Sequence, residues 1–239
     1  MSKIVAVTGV LADQHGAKRI AGAGKDEVAK IFVDHHYIAV AFADIMKRFC
    51  QELFSFTESQ LWGPSEQRVS PDKRYPAGGE YTREVAIGVK IPVEYLAPCL
   101  TPRFALQTLG DWGRGCQPDI WANYTLQLAK ELLEGGYVYS PRSGLESEYG
   151  HKDCPQFPYK GVVIPDMRFQ NEFRRVKEEG GKVVRVVRYC EEFPTKMDDS
   201  HISERDILEW GNDVFDHVIE NVGDLERLRS DTEKLIALL

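Results

Sequence analysis

The chain has 239 residues, 43% of them hydrophobic, and a formal net charge of -7. That is enough to bury one substantial core, and the acidic balance excludes a surface built mainly to cover nucleic acid, although local basic clusters can still hold small anions. Five scattered cysteines without metal-knuckle spacing fit a reducing compartment, and no apolar run approaches the ~20 residues a bilayer span needs, so a soluble cytoplasmic protein without membrane or nucleic-acid partners is expected.

"KIVAVTG" (3 to 9) reads as a buried strand closed by glycine, and its position points to the centre of a sheet. From Lys25 the apolar spacing becomes helical, with Val28, Ile31, Phe32 and His35 on one stripe. "YIAVAFA" (37 to 43) is a second strand and "DIMKRFCQELF" (44 to 54) a second helix. Residues 55 to 102 are rich in Pro and Gly and read as an excursion without long periodic elements.

Helical spacing returns in "PRFALQTLGDWG" and in "PDIWANYTLQLAKELLEGG", where Pro118 suits a first turn and Gly135-Gly136 a stop. A second loop-rich excursion covers 137 to 158; with Tyr137, Tyr139, Tyr149 and Phe157 it reads as a homodimer contact or as a surface loop. "GVVIPD" (161 to 166) is a third strand, "FQNEFRRVKEEGG" a helix, "KVVRVVR" (182 to 188) a fourth strand, and "DHVIEN" a fifth before a terminal helix. Ser203 with Asp206 resembles an acidic N-terminal cap opening a helix over "ERDILEWG". Strands alternating with helices predict a doubly wound parallel sheet, which takes ligands outside the carboxyl ends of its strands. That rule selects the loop after Gly9, the helix start at Asp44 and "PDMRF".

"AGAGKD" nearly spells a phosphate-binding loop, in which backbone N-H groups at a helix start wrap phosphate oxygens and a lysine reaches the β and γ phosphates. The usual spacing puts four residues between the first glycine and Gly-Lys, whereas fourteen, Val10 to Ala23, separate Gly9 from Gly24. Either Gly22, Ala23, Gly24 and Lys25 form the cradle with residues 10 to 19 as an insertion, or Lys25 is a solvated first-turn residue. Asp26 stands where a Ser or Thr is usual; it suits a cation or, equally, the helix dipole. His35-His36 is rejected as a metal site, since adjacent helical residues diverge by about 100° and no carboxylate partner is evident.

"GKDEVAKIF", "FADIMKRF", "LWGPSEQR", "TPRFALQTLGDWGR", "PDIWANY", "VVIPDMRFQNEF", "GGKVVRVVR" and "HISERD" follow one another as in the phage-type deoxynucleoside monophosphate kinases, which the chain resembles over most of its length. The exceptions are roughly 10 to 19, 70 to 98 and 137 to 158. The resemblance implies a P-loop three-layer α/β sandwich with a five-stranded parallel sheet: a core of 1 to 54 and 159 to 239, a helical NMP-binding insertion over 55 to 136, the 137 to 158 excursion, and a minimal or absent lid. It also implies ATP and Mg²⁺ as cofactors, ATP and a deoxynucleoside monophosphate as ligands, and residence in the host cytoplasm if phage-encoded. In that family Gly-Lys-Asp replaces Gly-Lys-Ser/Thr, so Asp26 is expected and the ten-residue insertion is the departure.

The acceptor phosphate, with a second pKa near ~6, needs no general base; the chemistry demands in-line positioning and charge neutralisation. The resemblance assigns Gly22, Ala23, Gly24, Lys25, Asp26 and Glu27 to ATP, Asp26 and Asp166 to the metal, and Lys25, Arg168 and Arg103 to catalysis. Arg68 and Arg103 are candidates to grip the acceptor phosphate, Gln107 to read a base edge, Asp44 and Lys47 to touch the acceptor, and Trp112 and Trp121 to stack on a base. Each has a plainer reading: Asp166 as a helix cap, Arg168 in an ion pair with Glu172, the tryptophans in the core, the others as surface groups. Arg168, Arg174 or Arg175 would supply charge that a lid otherwise brings; His201 and Ser203 would border the base or be packed. A phosphomevalonate-type kinase and a non-catalytic nucleotide-binding module are the alternatives.

Overall fold

The computed structural model describes residues 3–15, 18–20, 22–76, 99–135, 137–147, 159–191 and 206–239. Its centre is an all-parallel five-stranded sheet built from β1 (Ile4–Asp13), β3 (Tyr37–Ala39), β6 (Gly161–Ile164), β7 (Lys182–Cys190) and β8 (His217–Glu220). The order across the sheet is β3-β6-β1-β7-β8, with β1 in the middle, as its run of β-branched residues predicts. Two short elements, β4 (Tyr137–Ser140) and β5 (Gly144–Ser147), form a separate two-stranded sheet within the predicted loop-rich excursion. Tyr139 of β4 is buried in the core of its own chain, which removes it from the homodimer surface read from sequence; Tyr149 and Phe157 lie outside the described residues.

The chain divides into two compact units, the first comprising Met1–Phe42, Ala122–Ser140 and Leu145–Leu239, the second Ala43–Trp121 and Pro141–Gly144. In the first unit α1 (Lys25–Asp34) and α8 (Leu225–Leu238) cover one face of the sheet, burying Val28, Phe32, Leu228 and Leu235 against Val5, Val7, Val184 and Val186. The inner parts of α6 (Ile120–Glu134) and α7 (Gln170–Glu178) cover the other face, where Leu126, Ala129, Leu132 and Val176 meet Ile4, Ala6, Val162 and Ile164. Strands buried on both faces cannot alternate apolar and polar residues, which is why they read as continuous apolar runs.

The second unit is helical: α2 (Asp44–Phe54), α3 (Glu58–Trp62), α4 (Ser65–Val69) and α5 (Pro102–Cys116) surround Cys50, Phe56, Leu61 and Ala105. Sequence periodicity missed α3 and α4 because each spans five residues, too short to show a repeat; the Thr57 capping box with Gln60 is the signal that marks α3. Burial pushes the Cys50 thiol up to about 12, so it is an inert packing residue.

Four strand ends differ from expectation by two residues or more, β6 among them, which stops at Ile164 rather than residue 166. β3 ends at Ala39 rather than residue 43, while β1 and β7 run on to Asp13 and Cys190, paired in register to their last residues. The extension of β1 turns back through β2 (Lys18–Arg19), antiparallel to it, with Leu11 opposite Arg19 and Ala12 opposite Lys18. Since β7 occupies one side of β1 and β6 pairs only with Ile4 to Ala6, β2 takes the lane beyond the carboxyl end of β6. The insertion over 10 to 19 is thus a β-hairpin grown from the central strand.

A buried arginine organises the far side. Arg185, in the middle of β7, is 3% exposed, donates from Nη1 to Trp210 O (2.5 Å) and from Nη2 to Leu208 O (2.8 Å), and stacks 4.6 Å from the Phe215 ring. Burial holds its pKa below the ordinary arginine value. Where a helix opening at Ser203 was expected, residues 206 to 209 form turns, and Ser203 and His201 lie outside the described residues. Asp206 does cap a helix, but the N-terminus is that of α7: its Oδ2 accepts from Gln170 N at 2.7 Å.

Candidate functional site

The candidate cradle before α1 is built by the return of the hairpin. After β2 the chain passes through buried Ile20 and arrives against Gly9: a Cβ added there would lie 2.9 Å from Ala23 Cβ, 3.1 Å from Ile20 O and 3.7 Å from Lys25 Cδ. Only glycine admits so close an approach, so Gly9 is the meeting point of strand and loop and not the strand's end. Counting through this contact instead of along the chain, Ile20, Ala21, Gly22 and Ala23 are the four residues between Gly9 and Gly24, the usual spacing of a phosphate loop.

Gly22 (φ 88°) and Gly24 (φ 99°) turn the backbone through the left-handed region, and Gly24 then caps α1, its carbonyl accepting from the amides of Glu27 and Val28 at 3.1 Å. A helix start of this kind presents partly positive N-H groups. Asn221, immediately after β8, donates from Nδ2 to Ala23 O at 2.9 Å and holds the loop from the far side. It was not foreseen: no local pattern marks a residue whose partner lies 198 positions away.

Lys25 is the least exposed charged group of the loop, its side chain 13% exposed with Nζ 2.5 Å from Asp26 Oδ1, whereas the Asp26 side chain is 74% exposed. Glu27 pairs with Lys30 at 2.6 Å and turns along the helix. Asp166 follows β6, one lane from β1, and accepts from Phe42 N at 2.9 Å, tying the turns after β6 and β3 together. The α7 N-terminus is served by Glu172, which is buried and accepts from Arg168 N (2.7 Å) and Phe169 N (3.0 Å), and by Asp206. Glu172 therefore takes the backbone of Arg168.

Arg174 and Arg175 are engaged towards the other end of α7, with Glu178, and Arg175 also meets Glu179 and Asn123. A groove of about 660 Å³ flanks α1, touching the cradle at Asp26 and Glu27. Asp34 and Glu226 also line it, with Lys30 and Arg229 paired to Glu27 and Asp34, beside apolar Ala29, Val33 and Leu225. His35, rejected as a ligand, has a carboxylate neighbour after all, Glu233 Oε1 at 3.3 Å; yet among the described residues no three His, Cys, Asp or Glu side chains converge on a metal position.

In the second unit Asp44 and Lys47 do come together. Asp44 is 4% exposed, 3.9 Å from Lys47 Nζ, and accepts from Trp62 Nε1 at 3.4 Å; Lys47 lies 5.7 Å above the Trp62 ring. Trp62 was missed because its helix was. Thr101 caps α5, its Oγ1 accepting from Phe104 N, and Pro102 occupies the first turn. Arg103 and Gln107, one turn apart, are half-buried, and Gln107 Oε1 is shielded from solvent without a hydrogen-bond partner among the described residues. Arg68 donates to Gly63 O at 3.4 Å. Trp112 is 64% exposed, whereas Trp121 donates to Gly110 O at 3.0 Å and packs on Gly113, so its ring is committed to the joint of α5 and α6.

No helix among the described residues is long and apolar enough to cross a membrane. No family model matches the chain. It is similar to a protein of Acanthamoeba polyphaga mimivirus named "Putative deoxynucleotide monophosphate kinase", 28% identical over 185 residues that cover 77% of this chain and 76% of the viral one. That similarity agrees with the resemblance carried by the motifs.

Proposed function

We propose that this relative of a viral nucleotide kinase transfers the γ-phosphoryl group of ATP to a deoxynucleoside monophosphate, giving a diphosphate and ADP. The observation that carries the reading is the close approach of Gly9, within β1, to Ala23 and Ile20, which gives the loop before α1 the spacing of a phosphate loop, with Lys25 in it and Asp166 after the neighbouring strand.

In this reading the amides of Gly24, Lys25 and Asp26 cradle the β phosphate, and Lys25 exchanges its contact with Asp26 for phosphate oxygens. Arg168, at the mouth of α7, neutralises charge on the three equatorial oxygens during transfer. Arg103 and Arg68 grip the acceptor phosphate, Asp44 and Lys47 orient the acceptor, and Gln107 meets its base. Trp112 offers an exposed ring for stacking. The acceptor oxygen attacks phosphorus as the bond to the ADP oxygen breaks, and the acceptor is ionised at neutral pH without help from a base.

Magnesium ordinarily takes one or two carboxylates, with phosphate oxygens and water completing its shell. Asp26 and Asp166 match that donor set and would hold the ion, which would supply positive charge to the phosphates undergoing transfer. Incubating the protein with ATP, Mg²⁺ and a panel of deoxy- and ribonucleoside monophosphates together with phosphomevalonate, with ADP production as readout, tests the reading. Turnover with at least one deoxynucleotide is expected. Turnover only with phosphomevalonate, or with no phosphorylated acceptor, would overturn it.

A further inference from the structure

The segment from Asp206 to Trp210 touches three separate parts of the first unit. At one end Asp206 Oδ2 accepts from Gln170 N at 2.7 Å, capping the helix that Arg168 precedes by two residues. In the middle Arg185 grips the carbonyls of Leu208 and Trp210 from the sheet. On the other side Leu208 packs with Ile20, Val10 and Ala12 of the hairpin, and Glu209 pairs with Lys18 at 3.1 Å.

Of these joints the exposed Lys18 pair contributes least, since the Glu209 side chain is 79% exposed and such pairs are screened. The Ile20 and Leu208 contact is dry, Ile20 being fully buried, and Ile20 is bonded through residue 21 to the cradle itself. Arg185 commits both Nη groups to backbone carbonyls of the segment, while its Nε has no partner among the described residues; displacing the segment would strip those two bonds from a buried cation, which ties residues 208 to 210 to β7. A rigid piece held at its centre and joined at both ends transmits displacement between them.

We propose that residues 206 to 210 are a brace that keeps the phosphate cradle and the Arg168 loop in register, and that the inserted hairpin is the arm by which the brace reaches the cradle. Asp206 and Leu208 are then positioning residues, acting through Gln170 and Ile20. The catalytic consequence rests on the function proposed above; the mechanical linkage does not.

Amide hydrogen exchange of the full chain without ligand tests the linkage by a crossed design. Asp206→Ala cuts the joint at α7 and should speed exchange at residues 20 to 25 by about threefold or more; Leu208→Ala cuts the joint at the hairpin and should do the same at 168 to 171. Asp206→Asn, which keeps a side-chain oxygen for Gln170, should restore wild-type exchange; Leu208→Val, which shortens the side chain and loosens the same joint less severely, replaces Leu208→Ala if the latter does not fold. Loosening confined to the altered end in both variants overturns the proposal. Under the kinase reading, Asp206→Ala should also lower kcat about tenfold with the acceptor KM within twofold. A wild-type protein without kinase activity sinks that reading alone, and the crossed exchange result still decides the brace.

Discussion

Asn221 Nδ2 lies 2.9 Å from the carbonyl oxygen of Ala23, a single hydrogen bond that joins the end of β8 to the turn of the cradle. The same amide nitrogen sits 2.5 Å from where a Cβ on Gly24 would be, so a side chain there would have to displace the Asn221 amide, and the φ of 99° itself favours glycine. Asn221→Ala should raise the KM for ATP about fivefold, the worth of roughly 1 kcal/mol, with little change in kcat. Steady-state kinetics at saturating acceptor would check this; an unchanged KM would show that the loop keeps its shape unaided.

Lys25→Ala should lower kcat by roughly 100- to 1,000-fold, the scale seen when one donor to a developing charge is removed. Its stem packs over Gly9, so part of any stability change is lost packing; Lys25→Met keeps that packing and separates the two effects. If the methionine variant turned over at the wild-type rate, Lys25 would have no phosphate role.

Gln107 allows stability and activity to be read in opposite directions. A carbonyl oxygen buried without a partner is a cost in the free protein, so Gln107→Leu should leave the unfolding midpoint unchanged or raise it. The same change should raise the acceptor KM about tenfold, with KM for ATP unaffected, if that oxygen meets the base. A fall in stability with unaltered kinetics would make Gln107 a packing residue.

Asp216 links the stability of the first unit to acid pH. Burial, the largest single influence, pushes its pKa up, but the ammonium groups of Lys177 and Lys182 and the amide of Val183 together outweigh it and hold the carboxyl below its ordinary value of 3.8. A carboxylate with a depressed folded-state pKa stabilises the fold above the unfolded pKa, and that contribution is lost as pH falls through the folded value. Wild-type stability should therefore drop below about pH 4. Asp216→Asn should cost about 1 to 3 kcal/mol at pH 7 and flatten the profile between pH 5 and 3, as urea unfolding across that range would show.

The parallel sheet and its main helices were legible because period and composition are local properties: β-branched runs such as Val162 to Ile164, and helical stripes such as Leu126, Ala129 and Leu132, announce themselves. Gly9 misled, since a glycine in a strand marks either an end or a close approach, and only the position of Ala23 distinguishes them. Arg185 carried a signal that went unused. An arginine between valines in a strand covered on both faces must find acceptors, and the carbonyls of Leu208 and Trp210, beside the turns of that segment, supply them. Asp206 was recognised as a cap but assigned to its own segment, because a capping side chain serves whichever N-terminus space brings to it.

The contact of Gly9 with Ala23 also bears on how such loops are recognised. A signature written as a fixed count of residues treats chain distance as though it were spatial distance, and the two part company wherever a strand overshoots and doubles back. Here the detour of residues 10 to 19 is out and home again, so its two feet stand side by side and the loop beyond them keeps its ordinary length. Lineages that gain or trim such a hairpin would differ in their written signatures while keeping the same atoms around a phosphate.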